Sequence, residues 1–261
     1  MRTNYGLMLL AFLAPLPALS DSAANMQTLS LTKNCDKCTF SGDDFSLKNF
    51  SGFKFNETHF TDVNFSGADL SGANFSNTDF SGAKGQGSNF SKSFFAFYNI
   101  GKGDLIAVFK NSDLRGSKFD DMTATLSDAT MFEDVKLDGA TFTNATFYIS
   151  GKGTLFLRSV AKGSDFSGFS FDGGLDSGAI SSSDFSDSNF SGARMSGVKI
   201  TDSKFINANL EGAVLSASDL SRSDFSGANL KGVDLTDANL TGTNLCNAIG
   251  PDGTKLFIGC P

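Results

Sequence analysis

A five-residue phrase recurs along most of this chain, and no other feature restricts its fold as much. It is clearest in Gly67-Ala68-Asp69-Leu70-Ser71-Gly72-Ala73-Asn74-Phe75-Ser76 and again in Gly227-Ala228-Asn229-Leu230-Lys231-Gly232-Val233-Asp234-Leu235-Thr236. A small residue is followed by Asp or Asn, then Phe or Leu, then usually Ser or Thr, then often Gly. Self-similarity at a short fixed period belongs to solenoids, in which each unit contacts only its neighbours along a stack.

Stepping by five from Phe40 meets Phe45, Phe50, Phe55, Phe60, Phe65, Leu70, Phe75 and Phe80, then Gly85, then Phe90 and Phe95. The same step runs from Ile180 through Phe185 and Phe190 to Leu240 and Leu245. In extended chain, residues two apart point the same way and the one between points opposite. The large residue and the small one two places before it therefore face inward, and the Asp or Asn between them faces water. An odd period cannot persist as a flat strand, so the two remaining residues turn a corner. Gly tolerates positive φ and Ser bonds local backbone, which suits both to that position. Neither a helical period of 3.6 nor a hairpin period of 2 accounts for the pattern.

This phrase resembles the pentapeptide-repeat family, over roughly residues 38–248. The resemblance implies an all-β chain wound as a right-handed quadrilateral β-helix, with four pentapeptides per coil. Residues twenty apart then stack. Phe40, Phe60 and Phe80 should share one inward column, and Phe55, Phe75 and Phe95 another. On the outside, Glu211 falls over Lys231 and Asp202 over Arg222, while Asn189, Asn209 and Asn229 line up as an amide ladder. Exposed ion pairs contribute only ~0–1 kcal/mol, so such pairs tune the stack without creating it.

The two ends differ from the repeat. Residues 1–20 carry one charge, Arg2, then an apolar run from Leu7 to Leu16 and the small-residue site Ala18-Leu19-Ser20. This reads as a secretory signal peptide, too short in its apolar run to span a bilayer comfortably. Export to the periplasm or the extracellular space is expected. Many Asn-x-Ser sequons, such as Asn64-Phe65-Ser66, favour a bacterial setting over a glycosylating route. No later apolar run approaches transmembrane length. The remaining chain divides into an N-terminal segment and cap (21–38), the repeat (39–248) and a C-terminal cap (249–261). An even number of cysteines in an exported chain implies disulfides. Cys35 and Cys38 lie at one end of the repeat, Cys246 and Cys260 at the other. Bridged Cα atoms must lie within ~7 Å, so many intervening coils select Cys35–Cys38 and Cys246–Cys260. Pro251-Asp252-Gly253 reads as a turn that frees Leu256, Phe257 and Ile258 to cover the last coil.

The repeat is disturbed near 84–87, 97–131 and 148–165. Two of these stretches echo each other: Phe97-Tyr98-Asn99-Ile100-Gly101-Lys102-Gly103 and Phe147-Tyr148-Ile149-Ser150-Gly151-Lys152-Gly153. Tyr98, Lys102, Tyr148 and Lys152 are accordingly the candidate interaction residues. A net charge of −7 argues against a nucleic-acid partner, which needs a basic stripe to displace counterions. The lone His59 supports no catalytic triad, and no metal or cofactor set can be assembled. The chain thus reads as an exported, non-enzymatic scaffold that binds a protein or envelope component. Two other readings stand beside it. The family resemblance implies a DNA-mimicking, gyrase-interacting protein. The disturbed region 97–165, with Asp165, Asp172 and Asp176 near it, suggests a glycan-binding or glycan-processing β-helix.

Overall fold

A computed structural model describes residues 21–98, 106–151, 153–173 and 180–260. Residues 1–20, read from the sequence as a signal peptide, lie outside them. Each pentapeptide makes one side and one corner of a four-sided coil. At Asn64–Ala68, the Phe65 N–H donates to the Lys84 carbonyl of the next coil at 2.6 Å, and the Asn64 N–H donates to the Asp43 carbonyl of the previous one at 2.9 Å. The Ala68 N–H then reaches back to the Phe65 carbonyl at 2.8 Å and closes the corner. Gly67 sits at φ 66° in that corner, the left-handed region that costs a side chain steric strain. Asn77 and Asp62, the kinds of residue that tolerate this region best after glycine, hold the same place elsewhere.

The polar residues of the phrase have equally local causes. Asn64 Oδ1 accepts the backbone N–H of Ser66 at 3.1 Å, and Asp69 Oδ1 that of Ser71 at 3.0 Å. This bond to the backbone two residues on fixes the outward Asx side chain and satisfies an N–H at the corner.

One side of the stack is a seven-stranded parallel sheet: Asn34–Asp36, Lys54–Asn56, Asn74–Ser76, Phe94–Tyr98, Thr123–Ser127, Thr146–Ser150 and Ser170–Gly173. Single bridges from Ser170 to Arg194, Val214 and Asp234 prolong it. The next side holds a two-stranded sheet, Thr39–Ser41 with His59–Thr61, and beyond it a five-stranded sheet from Ile106–Lys110 through Ala129–Glu133, Thr154–Leu157 and Ile180–Ser181 to Ile200–Thr201. Parallel bridges make the other two sides, such as Asp44–Asn64–Lys84–Asp113 and Asn49–Asp69–Asn89–Lys118. The chain is therefore a parallel β-solenoid with little helix.

Side chains twenty apart stack along the axis. Phe40, Phe60 and Phe80 lie 5.3 and 5.2 Å apart ring to ring, and Phe55, Phe75 and Phe95 lie 5.4 and 4.7 Å apart. Rings in adjacent columns meet edge to face, as Phe60 does Phe65 at 5.0 Å and 78°. Offset stacks and edge contacts are the arrangements aromatic quadrupoles favour. Burial of each such ring is worth roughly 1.5–3 kcal/mol.

At Lys84–Gly87 the coil keeps its path, with Lys84 bridging Asn64 and Asp113. The change is in the core alone. Gly85 occupies an inward place, and a Cβ there would approach Leu114 Cδ2 to 2.7 Å, so Leu114 from the next coil fills the volume.

The larger irregularities share a single corner. Phe75 to Phe80 is a step of five, whereas Phe95 to Phe109 is 109 − 95 = 14 and Ala124 to Phe132 is 132 − 124 = 8. Phe147 to Phe156 and Phe171 to Ile180 are each 9 (156 − 147 and 180 − 171). Between these extensions the five-residue step is intact, as in Phe109, Leu114, Phe119 and Ala124. Much of 97–131 and 148–165, marked as disturbed from the sequence, is thus ordinary coil with the frame displaced. The extension beyond Phe171 has no counterpart in that expectation.

Helix α1, Asp21–Thr32, covers the first coil and buries Leu29. Cys35 already pairs with Phe55, so the stack begins inside the segment assigned to the cap. Cys35 is bridged to Cys38 with Cα atoms 5.7 Å apart, and Cys246 to Cys260 at 4.8 Å. At the far end Leu256 packs on the core and donates its N–H to the Ala248 carbonyl at 2.8 Å. Phe257 and Ile258 instead project outward, 68% and 57% exposed, because the hydrogen bonds of the tail place Leu256 and not its neighbours over the core. No described helix is long and apolar enough to cross a membrane.

Candidate functional site

Side chains on the outer surface make several contacts between coils. Asn229 donates to Asn209 at 3.0 Å, Asn209 to Asn189 at 3.1 Å, and Asn189 to the Asp165 carboxylate at 3.0 Å. Arg222 donates twice to Asp202, both at 2.7 Å, and Arg158 bonds Asp134 and Glu133 together. Lys231 reaches Glu211 at 4.0 Å. Hydrogen bonds from Arg115 hold Asp113 down at about 2, helped by Gln86. Arg158 likewise lowers Asp134, and Arg222 lowers Asp202, each first through hydrogen bonds to the carboxylate. The pairs made by Arg158, Arg222 and Lys231 join neighbouring coils, whereas Arg115–Asp113 lies within one corner.

Among the described residues the candidate catalytic groups do not come together. His59 Nδ1 lies 3.6 Å from Asp79, both on the surface. Asp165 is committed to Ser167 and Asn189, Asp172 stands exposed on the sheet, and Asp176 lies outside the described residues. Among the described residues no group of three His, Cys, Asp or Glu side chains could hold a metal ion. A shallow hollow lies beside Lys84, Gln86 and Asn64, but its acid, Asp113, is already paired.

One face differs from all this. The corner extensions lengthen the sheet strands from three residues to five at Phe94–Tyr98, Thr123–Ser127 and Thr146–Ser150. The added inward positions, Phe97, Leu126 and Ile149, stand in register and are buried. Val108, Met131 and Leu155 across the extension join the same apolar cluster. The enlarged corner thus has its own packed interior, which keeps the lengthened strands in the sheet.

Alternation then sends Phe94, Tyr98 and Tyr148 outward on one face, 38%, 50% and 45% exposed. Thr125 pairs with Ala96 on one side and Tyr148 on the other, and Thr123 pairs with Phe94 and Thr146. The immediate neighbours are Thr, Ser, Asn and Ala96, with Asp172 beside Tyr148, and Lys54 and Arg194 lie further out on the same sheet, two strands from Phe94 and Thr146. Asn77 Oδ1 accepts the Tyr98 N–H at 3.0 Å and fixes the strand end.

The structure therefore brings Tyr98 and Tyr148 onto a common face, while Lys102 and Lys152 lie outside the described residues. The echoed segments are not in register. Phe97 aligns with Leu126 and Ile149, two places beyond Phe147. Phe94 was not among the residues singled out from the sequence. Its signal is a large apolar residue in the outward slot before Phe95, where the preceding units carry Asn74, Asp79, Lys84 and Asn89.

The family model described as pentapeptide repeats matches the chain in eight copies, over residues 44–82, 64–96, 180–216 and 213–249. The described coils from 106 to 173 thus continue the architecture outside the matched stretches. Similar solved structures include HetL, a pentapeptide repeat protein involved in heterocyst differentiation regulation, from the cyanobacterium Nostoc. It is 18% identical over 88% of this chain and 97% of that one, with a TM-score of 0.35. QnrB1, a plasmid-mediated fluoroquinolone resistance protein, is 20% identical over 80% of this chain and 91% of that one, at 0.37. A pentapeptide repeat protein from the thylakoid lumen of Arabidopsis thaliana is 21% identical over 69% and 70%, at 0.13. The comparison with curated proteins found no match.

Proposed function

Since this chain is a pentapeptide-repeat β-solenoid, we propose that it works as an exported, non-enzymatic interaction module whose contact surface is the outer sheet face bearing Phe94, Tyr98 and Tyr148. The observation that carries the reading is the concentration of these exposed rings on one flat sheet, over a corner built out by stacked extensions. Exposed aromatics grouped on a rigid surface are the usual anchors of recognition. The rest of the exterior is predominantly polar, with ion pairs between coils such as Arg158 with Glu133 and Asp134, and Arg222 with Asp202. Those pairings also break up the acidic surface that a DNA-mimicking rod would present. Export rests on the segment 1–20 and is tested separately, by the N-terminus of the protein recovered from the periplasm or medium.

The test is capture from envelope and medium fractions with the intact protein and with the triple variant Phe94→Ser/Tyr98→Ser/Tyr148→Ser, after circular dichroism shows the variant folded. Components retained by the intact protein should be lost with the variant. Identical capture by both proteins would refute this face as the contact surface.

A further inference from the structure

Resting on that reading of the face, we infer that its ligand is a neutral polysaccharide, laid across the strands with pyranose rings on Tyr98 and Tyr148. Register gives the geometry. Tyr148 lies two strands from Tyr98 and two residues along from it, so roughly 10 Å across and 7 Å along separate their backbones. A few consecutive sugar units span that distance.

The chemistry of the patch selects the class of partner. Pyranose rings present C–H faces that pack on aromatic rings, and hydroxyl edges that need hydrogen-bonding partners. Here the rings stand among Thr123, Thr125, Thr146 and Ser150, whose side chains lie on the same outward side of the sheet. Thr and Ser hydroxyls both donate and accept, as a sugar edge requires. The match in charge is equally specific. The chain carries −7 overall, yet the three lengthened strands Phe94–Tyr98, Thr123–Ser127 and Thr146–Ser150 contain no charged residue. A nucleic acid or an anionic membrane would call for Lys and Arg around the rings, and the three lengthened strands that carry them have none; Lys54 and Arg194 stand two strands out, beyond Phe94 and Thr146. An anionic polysaccharide would likewise meet no counter-charge on those strands. Asp172, next to Tyr148, adds a penalty for any anionic chain.

Affinity electrophoresis of the purified protein through gels containing glycogen, a soluble β-1,3-glucan or hydroxyethyl cellulose tests this, with alginate and heparin as charged counterparts. Retardation is expected in at least one neutral gel and in neither anionic one. Tyr98→Ala/Tyr148→Ala should weaken it about tenfold or more, whereas Tyr98→Phe/Tyr148→Phe should keep most of it. Unchanged mobility of the intact protein in every neutral gel overturns the inference, as does equal retardation of the alanine variant or retention by the anionic gels alone. If the glycans fail while the triple serine variant still loses its captured components, the contact face stands and only its ligand class falls.

Discussion

Phe95 and Phe147 share one inward column, with Ala124 between them. The near-repeat of Phe97-Tyr98 in Phe147-Tyr148 therefore conceals a displacement of two residues. Because the displacement is even, both tyrosines still face outward. Their shared face follows from parity in the strand and not from alignment of the two segments.

The gap at Ala124 has a compensating partner. Met122, two residues earlier and on the same side, is large where the repeat normally carries Ala or Ser, and both residues are buried. Met122→Ala should cost ~2–5 kcal/mol by leaving a cavity. Ala124→Phe alone should cost ~1–3 kcal/mol by overpacking. Combining them restores the usual order of sizes and should recover much of both losses, read as non-additive shifts in the urea midpoint.

The C-terminal bridge closes a longer loop than the N-terminal one, with sequence separations of 14 and 3. In the chain-entropy model this is worth ~3 kcal/mol against ~2. Cys246→Ser/Cys260→Ser should therefore lower stability more than Cys35→Ser/Cys38→Ser. Hydrogen exchange should show the loss first at Leu245 and Asn247, whose N–H groups are bonded to the tail.

Acid should weaken the stack in a defined window. Asp113 is held at about 2 against an ordinary 3.8, and Asp134 and Asp202 are shifted in the same direction. A carboxylate depressed in the folded state contributes its stabilisation above its unfolded pKa and loses it as pH falls through the folded one. The thermal midpoint should hold from neutrality to about pH 5 and fall from about pH 4 towards 2. Arg115→Ala, which removes the main cause of the shift at Asp113, should make that fall shallower.

Along the amide ladder, Asn209→Asp removes the N–H that Asn189 accepts and sets a carboxylate against its oxygen. A cost of about 1 kcal/mol is expected, more than for exposed substitutions elsewhere on the same coil. Equal unfolding midpoints for the variant and the parent would show that the ladder contributes nothing.

The solenoid was legible because one inward ring and one outward Asx per five residues leave few alternatives. The columns Phe40–Phe60–Phe80 and Phe55–Phe75–Phe95, and the pair Asp202–Arg222, follow from a spacing of twenty alone. What the spacing hid was the sameness of the four irregular coils. No extra length is a multiple of five, so Phe109, Phe132 and Phe156 fall outside the frame of Phe95 and only the sum of the four brings Ile180 back into it, though each begins the same side. Phe94 stayed obscure for a related reason. A lone apolar residue in an outward slot gains meaning only once Tyr98 and Tyr148 are known to share its sheet.

Growth at one corner alone leaves the other three sides untouched, since each coil returns to Phe109, Phe132, Phe156 or Ile180 with its rise along the axis unaltered. That vertex is a place where segments of varied length can be inserted or trimmed while the remaining architecture keeps its dimensions. A new specificity could be written there, one level at a time, on a frame that does not have to be rebuilt.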